Sequence, residues 1–476
     1  MLNLSDNRLR WFMASDRINN RKFIGMFLGI AVFLAIWTLP IPNLPVEGRK
    51  SLAISMFAVI WLANGVTAPA YTGLMVLAAY ILLLDHSVVP VQTILSGWTT
   101  SVVYMVVAGF LLAGAVSESG LGKRIALFFV SRFVHSFQSL IVYCYIVNII
   151  LCVVIPHPWP RGMLMASILA QTMAGHLPKE HVRQITLAIF AGAVSTSLMF
   201  LTGDPTFSSV VITLSETRVS FTQWMVYMAI PGFFISTLAC ISQLLVFRLP
   251  NHQINQEQFK AEAVSLGPLT GKEKRLVFWL LIAVVLWLTG SLTGLDAGWV
   301  TAIVTVILSL PVIGGVLDTK SLKSISIDTP LFIVAVLSIG TVSKVSGMSD
   351  WLAQMLLSLG IPSNPWLFAP VAALLCMALH MVTGSSMSAM GVIAPALISL
   401  GVALGFPPLL PALIAFISLA GHWVLPYQHM TIQIGQNQLE ESFTDKEVAL
   451  LSIPQTVIIL LASFVMVAWF MVIGMI

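Results

Sequence analysis

The sequence predicts an all-α polytopic membrane protein of about 11 transmembrane helices plus two re-entrant hairpins, arranged as two inverted repeats. Three observations predict it: an apolar composition, two polar breaks within hydrophobic stretches, and landmarks that recur in the same order in both halves. Of 476 residues, 58% are hydrophobic and 9% charged, against about a quarter charged in soluble proteins. A water-soluble fold of this length cannot bury so much apolar surface.

Apolar runs near the length of a membrane span lie at 23–39, 51–68, 70–84, 138–155, 184–201, 222–247, 276–293, 297–313, 366–382, 409–425 and 452–475. The segments 162–175, 388–404, 96–118 and 326–348 are shorter or richer in Gly and Ser. They read as half-helices or re-entrant hairpins. Strand-period alternation is absent, which argues against a β-barrel. Cys144, Cys152, Cys240 and Cys376 all sit in apolar runs, without the spacing of a disulfide framework or a metal site. No Walker loop, H-E-x-x-H or G-x-S-x-G is present, so ATP-driven transport and membrane hydrolysis lack their chemistry and no enzymatic activity is expected. No basic stripe suited to nucleic acid is present either.

Basic residues near the span ends set the expected orientation. Arg8, Arg10, Arg17, Arg21 and Lys22 favour a cytoplasmic N-terminal segment over 1–22. That segment lacks a signal-peptide core, so the first span is expected to remain. Arg248, Lys260, Lys272, Lys274 and Arg275 mark 248–275 as a cytoplasmic linker, and the basic-free end at Ile476 suits the far side. The linker separates scaffold helices and a first repeat (23–247) from a second repeat (276–476), in a multi-pass protein of the inner membrane.

The first break reads His157-Pro158-Trp159-Pro160-Arg161-Gly162 and the second Thr383-Gly384-Ser385-Ser386-Met387-Ser388. In hydrocarbon a broken helix frees backbone groups that cost several kcal/mol each unless satisfied, so breaks survive where they line a protein or water cavity. Matched breaks in two halves point to a binding site at the midplane of a carrier. The offset from His157 to Gly384 is 227 residues, as is that from Gly120 in Glu118-Ser119-Gly120 to Gly347 in Val345-Ser346-Gly347. Gly203-Asp204-Pro205 and Ile230-Pro231 find counterparts in Leu425-Pro426-Tyr427-Gln428-His429 and Ile453-Pro454. Four matches in order make an internal repeat.

At these residues, over roughly 50–476, the chain resembles the divalent anion/sodium symporter family, carriers of dicarboxylates, citrate and sulfate. The resemblance implies a homodimer with a scaffold and a mobile transport domain working as an elevator. It also implies two Ser-Asn-Thr motifs that meet at the membrane centre around substrate carboxylates and sodium ions. This chain departs from that pattern. The second motif falls on Ser385-Ser386-Met387, and the first falls on Pro156-His157-Pro158 or on Trp159-Pro160-Arg161. The resemblance places substrate contact at His157, Pro158, Arg161, Gly384, Ser385, Ser386, Met387, Pro205 and Gln428. It places ion coupling at Thr383, Ser385, Ser388, Gly203, Asp204, His422 and His429.

The residues themselves leave alternatives open. The hydroxyls of Thr383, Ser385, Ser386 and Ser388 suit a hard cation or an anion, or simply allow close helix packing. Three prolines at 156, 158 and 160 remove backbone donors. Arg161 beside them suits a carboxylate or sulfate, a pairing with Asp204, or a place outside the membrane. Asp204 reads as a cation ligand, a protonation site or that partner. His157, His380, His422 and His429 lie in or beside the breaks, where His titrates between pH 5 and 8. The expected function is secondary transport of a small divalent anion, with no cofactor beyond Na+ or H+ as coupling ion. A proton-linked or sodium-independent exchanger and a non-transporting binding or sensor protein are the alternatives.

Overall fold

The computed structural model describes residues 20–173, 178–248, 256–323, 325, 327–437 and 442–476. The segment before residue 20, with Arg8, Arg10 and Arg17, and residues 249–255 of the 248–275 connection fall outside the described residues. Among the described residues there are helices and no strand. Among the described residues six helices are long and apolar enough to cross a membrane by length and composition: Ser101–Ser119, Phe221–Val246, Asp328–Val345, Pro365–Thr383, Ser386–Ala403 and Asp445–Val472. Large apolar side chains such as Leu82, Ile303, Val306 and Val472 project outward, as a lipid-facing surface requires.

Local chemistry starts these helices. Capping boxes at Ser136/Ser139, Ser220/Gln223, Thr270/Glu273 and Thr444/Glu447 satisfy orphan backbone donors at four helix N-termini. Pro69, Pro205 and Pro365 take first-turn positions, where their missing N–H costs nothing. Gly120 and Gly347, both left-handed, end the Ser101–Ser119 and Asp328–Val345 helices and turn the chain into the Leu121–Phe133 and Met348–Ser358 helices.

Two expectations change here. The Gly-rich segments 96–118 and 326–348 form helices of 19 and 18 residues instead of re-entrant hairpins. Their glycines serve packing: Gly109 lies against the Pro156 carbonyl, and Gly340 against Leu214. The hairpins are built instead from 137–173 and 365–403. Phe137–Val154 runs parallel to Lys179–Ser197, since Asn148 donates to the Ile189 carbonyl (3.3 Å) and Cys152 meets Thr196 further along. Pro158–Met173 runs back between them, with Gly162 on Phe190 and Arg161 reaching Ser197. In the second half Phe368 packs on Phe406 (4.8 Å), and His380 meets His422 past the other end of Leu409–Ala420. Ser386–Ala403 returns between them, with Gly401 on Pro411. Pro231 and Pro454 sit inside the continuous Phe221–Val246 and Asp445–Val472 helices, which follow the unbroken apolar runs 222–247 and 452–475.

Each hairpin is followed by an interrupted helix: Lys179–Ser197 then Pro205–Ser215, and Leu409–Ala420 then Met430–Asn437. A long proline-containing helix closes each half. The order of elements therefore recurs, with hairpin tips at 155–157 and 384–385. The halves interlock through Trp224 on Phe416 (5.0 Å) and Phe190 on Phe443 (6.1 Å). The connection between them docks on the first half: Arg124 donates to the carbonyls of Leu266, Gly267 and Pro268 and pairs with Glu273 at 2.9 Å.

The 26-residue Phe221–Val246 helix is long enough to cross the bilayer, so residues before it and after it face opposite sides. Three of the four native cysteines are buried, which keeps background labelling low. In intact cells, an Arg218→Cys variant is expected to react with a membrane-impermeant maleimide from outside. A Lys260→Cys variant is expected to react only after permeabilisation; labelling of both from one side would contradict the topology.

Candidate functional site

The two hairpin tips and the two interrupted helices come together through an unbroken series of contacts. At the first tip, Ile155, Pro156, His157 and Pro158 are buried, with Pro156 against Gly109 and the His157 ring 5.1 Å from that of Phe110. Among the described residues neither ring nitrogen of His157 has a hydrogen-bond partner, and its Nε2 lies 3.9 Å from Asp204 Oδ1. Asp204 accepts a short hydrogen bond from Thr206 and precedes Pro205, the first residue of the next helix half. Phe207, one turn on, stacks on His429 of the second interruption (6.1 Å, 19°). His429 Nε2 contacts the Ala420 carbonyl (3.2 Å).

Arg161 is fully buried and its guanidinium points into the first half. Nη1 donates to the Ile155 carbonyl (2.7 Å) and the Gly203 carbonyl (3.0 Å). Nη2 donates to the Ala193 carbonyl (3.1 Å) and the Ser197 hydroxyl (2.5 Å). The side chain thus joins the tip to both sides of the interruption. Of the alternatives left open by the residues, an exposed loop does not fit this burial, and among the described residues no ion pair joins Arg161 to Asp204, whose Oδ1 lies 3.9 Å from His157 Nε2.

The second tip uses neutral groups. Gly384 is left-handed (φ 61°) and ends the Pro365–Thr383 helix. Ser385 then caps the next helix: its Oγ accepts from the Ser388 N–H (3.4 Å) and the Ser388 hydroxyl (3.0 Å). Thr383 donates to the carbonyls of His380 (3.3 Å) and Ser385 (3.2 Å). Gln428 is buried, and its Oε1 accepts from the N–H groups of Val424 (2.7 Å) and Leu425 (2.8 Å), donors freed by the interruption. Its own carbonyl receives the Ser386 hydroxyl (3.3 Å) and contacts His380 Nε2 (3.2 Å). His422 bridges His380 (3.5 Å) and Thr456 (3.1 Å). Met387 packs at 8% exposure, while Gly384 and Ser385 stay partly exposed beside Tyr427 and the Ala63 end of the Val46–Ala63 helix.

All the residues expected at the site therefore lie at a tip or an interruption. Two contributors had not been singled out, Phe207 as the bridge between halves and Ser197 as an Arg161 partner, while His380, one of the four histidines read beside the breaks, is the hub of the second half. The polar run Ser195-Thr196-Ser197 just before Gly203 was a legible signal for the second of these. The arrangement offers the partly exposed Ser385 hydroxyl, the buried Ser386 hydroxyl and helix N-terminal N–H groups at the second tip, which favour anions. It also offers clustered oxygens at Thr383, Ser385 and Ser388, which favour a hard cation.

Two helical hairpins whose tips meet interrupted helices inside a lipid-facing shell define a multi-pass membrane transport protein. The chain belongs to the family described as the sodium:sulfate symporter transmembrane region, which it matches over residues 20–476. It is 24% identical to a putative malate transporter, YflS, of Bacillus subtilis, over 83% of this chain and 85% of that protein. It is also 24% identical to dicarboxylate transporter 1, chloroplastic, of Arabidopsis thaliana, over 83% of this chain and 73% of that protein. Its fold is similar to that of the Alcanivorax borkumensis YdaH transporter, with a TM-score of 0.53 and 12% identity over 80% of this chain and 88% of that one.

Gly203 tests how tightly the first interruption is built. A Cβ there would strike the Ser197 carbonyl, a backbone group that cannot swing aside, whereas one at Gly114 meets nothing within 4 Å. Gly203→Ala is expected to destabilise the purified protein by about 1–3 kcal/mol or more, read as a lowered melting temperature. Gly114→Ala is expected to melt as the parent does, and equal melting of the two variants would contradict this packing.

Proposed function

We propose that this protein is a secondary active carrier of a small divalent anion, with a dicarboxylate such as malate the preferred class and citrate or sulfate as related candidates. The observation that carries this reading is the convergence of two hairpin tips and two helix interruptions on one central region. The names of the relatives, malate and dicarboxylate transporters, support the substrate class. In this reading the anion sits against Ser385, Ser386 and the N–H groups that open the Ser386–Ala403 helix, with Gly384, Met387, His157, Pro158, Pro205 and Gln428 shaping the site. A Na+ ion takes the oxygens of Thr383, Ser385 and Ser388. A cavity of about 250 Å3, lined among others by Thr213, Glu216, Thr341, Lys344, Asp350 and Ser399, lies at the far ends of the Pro205–Ser215 and Ser386–Ala403 helices. Its lining includes the Glu216–Lys344 ion pair (2.6 Å). The mobile unit carries both hairpins past the scaffold helices, in a homodimer of the inner membrane with a cytoplasmic N-terminus.

A second reading rests on the four histidines. His380 and His422 are in contact, His429 stacks on Phe207 and meets Trp423 edge-on, and His157 faces Asp204. Protons carried on these groups would couple or balance transport without Na+.

Purified protein in proteoliposomes is expected to take up labelled malate or succinate. Ser386→Ala is expected to raise KM about tenfold or more, the cost of one hydrogen bond to a charged group, with kcat less affected. Uptake that follows an imposed Na+ gradient and ignores a pH gradient supports the first reading. The reverse supports the second. Wild-type vesicles that move none of dicarboxylate, citrate or sulfate would contradict both.

A further inference from the structure

Away from the tips, the cavity of about 250 Å3 lies between two groups of helices. One wall is formed by the far ends of Pro205–Ser215 and Ser386–Ala403, which start at the first interruption and the second tip. The other wall is Asp328–Val345 and the start of Met348–Ser358. That second wall is fixed to a frame that carries neither tip nor interruption. Gly73 of Pro69–Leu83 and Gly97 of the 96–99 turn lie directly on Ala335 and Val334, and Thr341 donates to the Thr93 carbonyl (3.3 Å).

The lining is graded. Glu216, Lys344 and Asp350 are exposed at its mouth, whereas Leu214, Gly340 and Pro395 are buried. Leu214 is nine residues, about 13 Å, along its helix from Pro205. Its methyl group takes the space that a Cβ on residue 340 would fill, and Pro395 Cγ lies 3.5 Å from the same point. The first interrupted helix, the frame and the second hairpin thus meet there and close the cavity short of the tips. At the mouth, Glu216 pairs with Lys344 (2.6 Å) and joins the interrupted helix to the frame. Glu216 is left-handed (φ 52°) at the end of Pro205–Ser215, a position where glycine or asparagine is the ordinary choice. Its side chain accounts for a glutamate there.

We propose that these residues form a gate on the Arg218 side of the membrane. Leu214 in the Gly340 notch is its seal, and the Glu216–Lys344 pair is its latch. Movement of the hairpins past the frame lifts Leu214 from the notch, parts the ion pair and opens the cavity to the tips. The gate rests on the carrier function proposed above and adds to it the contacts that break when this side opens. Both charged side chains are more than half exposed, so the latch shifts the closed–open balance by at most about fivefold and is screened by salt. The seal, being apolar, is not.

A cysteine at Val211, fully buried one turn below Leu214, reports the seal without any substrate. From the Arg218 side, Val211→Cys is expected to react slowly with an impermeant maleimide. Leu214→Ala, which empties the notch, or Gly340→Ala, which fills it in a helix that favours alanine, is expected to speed the reaction. Glu216→Gln is expected to speed it by up to about fivefold, a gain lost in molar salt. Equal labelling in all four backgrounds overturns the gate. In proteoliposomes, a Glu216→Cys/Lys344→Cys protein bridged by a short bis-methanethiosulfonate is expected to stop uptake and to recover it on reduction. Each single variant treated alike is expected to keep transporting. A bridged protein that transports as its reduced form does, or a pair that never bridges, also overturns the gate. If the wild type moves no dicarboxylate, the carrier reading fails, and Val211→Cys labelling still decides whether the seal exists.

Discussion

The structure depends on one constraint: a helix interrupted in a low-dielectric interior must have its freed backbone groups satisfied from within the protein. Among the described residues there are four such places, two tips and two interruptions, and the first pair is closed by one long side chain while the second pair is closed largely from within. Arg161 gathers carbonyls from the first tip and first interruption. Gln428 performs the opposite task, accepting from the N–H groups of Val424 and Leu425 and offering its carbonyl to the second tip. The halves thus share an arrangement and differ in sign: a donor cation closes one, and a neutral acceptor closes the other.

This division explains why hydroxyl-bearing residues remain only at the second tip. Prolines at 156, 158 and 160 already remove three N–H groups from the first, so fewer donors there require partners and fewer are available to an anion. The carbonyls that remain are consumed by Arg161. At the second tip the N–H groups and hydroxyls of 385–388 engage mainly one another. Such local bonds can be exchanged for bonds to a ligand at small cost, whereas unseating Arg161 would strand a charge and three carbonyls together.

Much of the scaffold was legible in the sequence, because the residues that break helices are chemically distinct. Pro158, Gly203-x-Pro205, Gly384-Ser385 and Leu425-Pro426 all mark observed helix ends. The recurrence of Gly120 and Gly347 announced two left-handed helix ends. Glycine content alone misled for 96–118 and 326–348, since a glycine in a membrane helix either weakens it or admits a neighbour, and only packing decides which. The destination of Arg161 was not legible either. Its partners are mostly backbone carbonyls, which every residue has and no letter of the sequence marks; only Ser197 could have been read.

The central claim is that the tips and interruptions form one anion site. A structure of the purified protein determined with bound succinate tests this most directly. The account predicts dicarboxylate density at the N-terminus of the Ser386–Ala403 helix, within hydrogen-bonding reach of Ser385 or Ser386 and on the side that faces His157 and Asp204. Density confined to the cavity beside Glu216 and Lys344, or to the lipid-facing surface, with the tips unchanged, would contradict it.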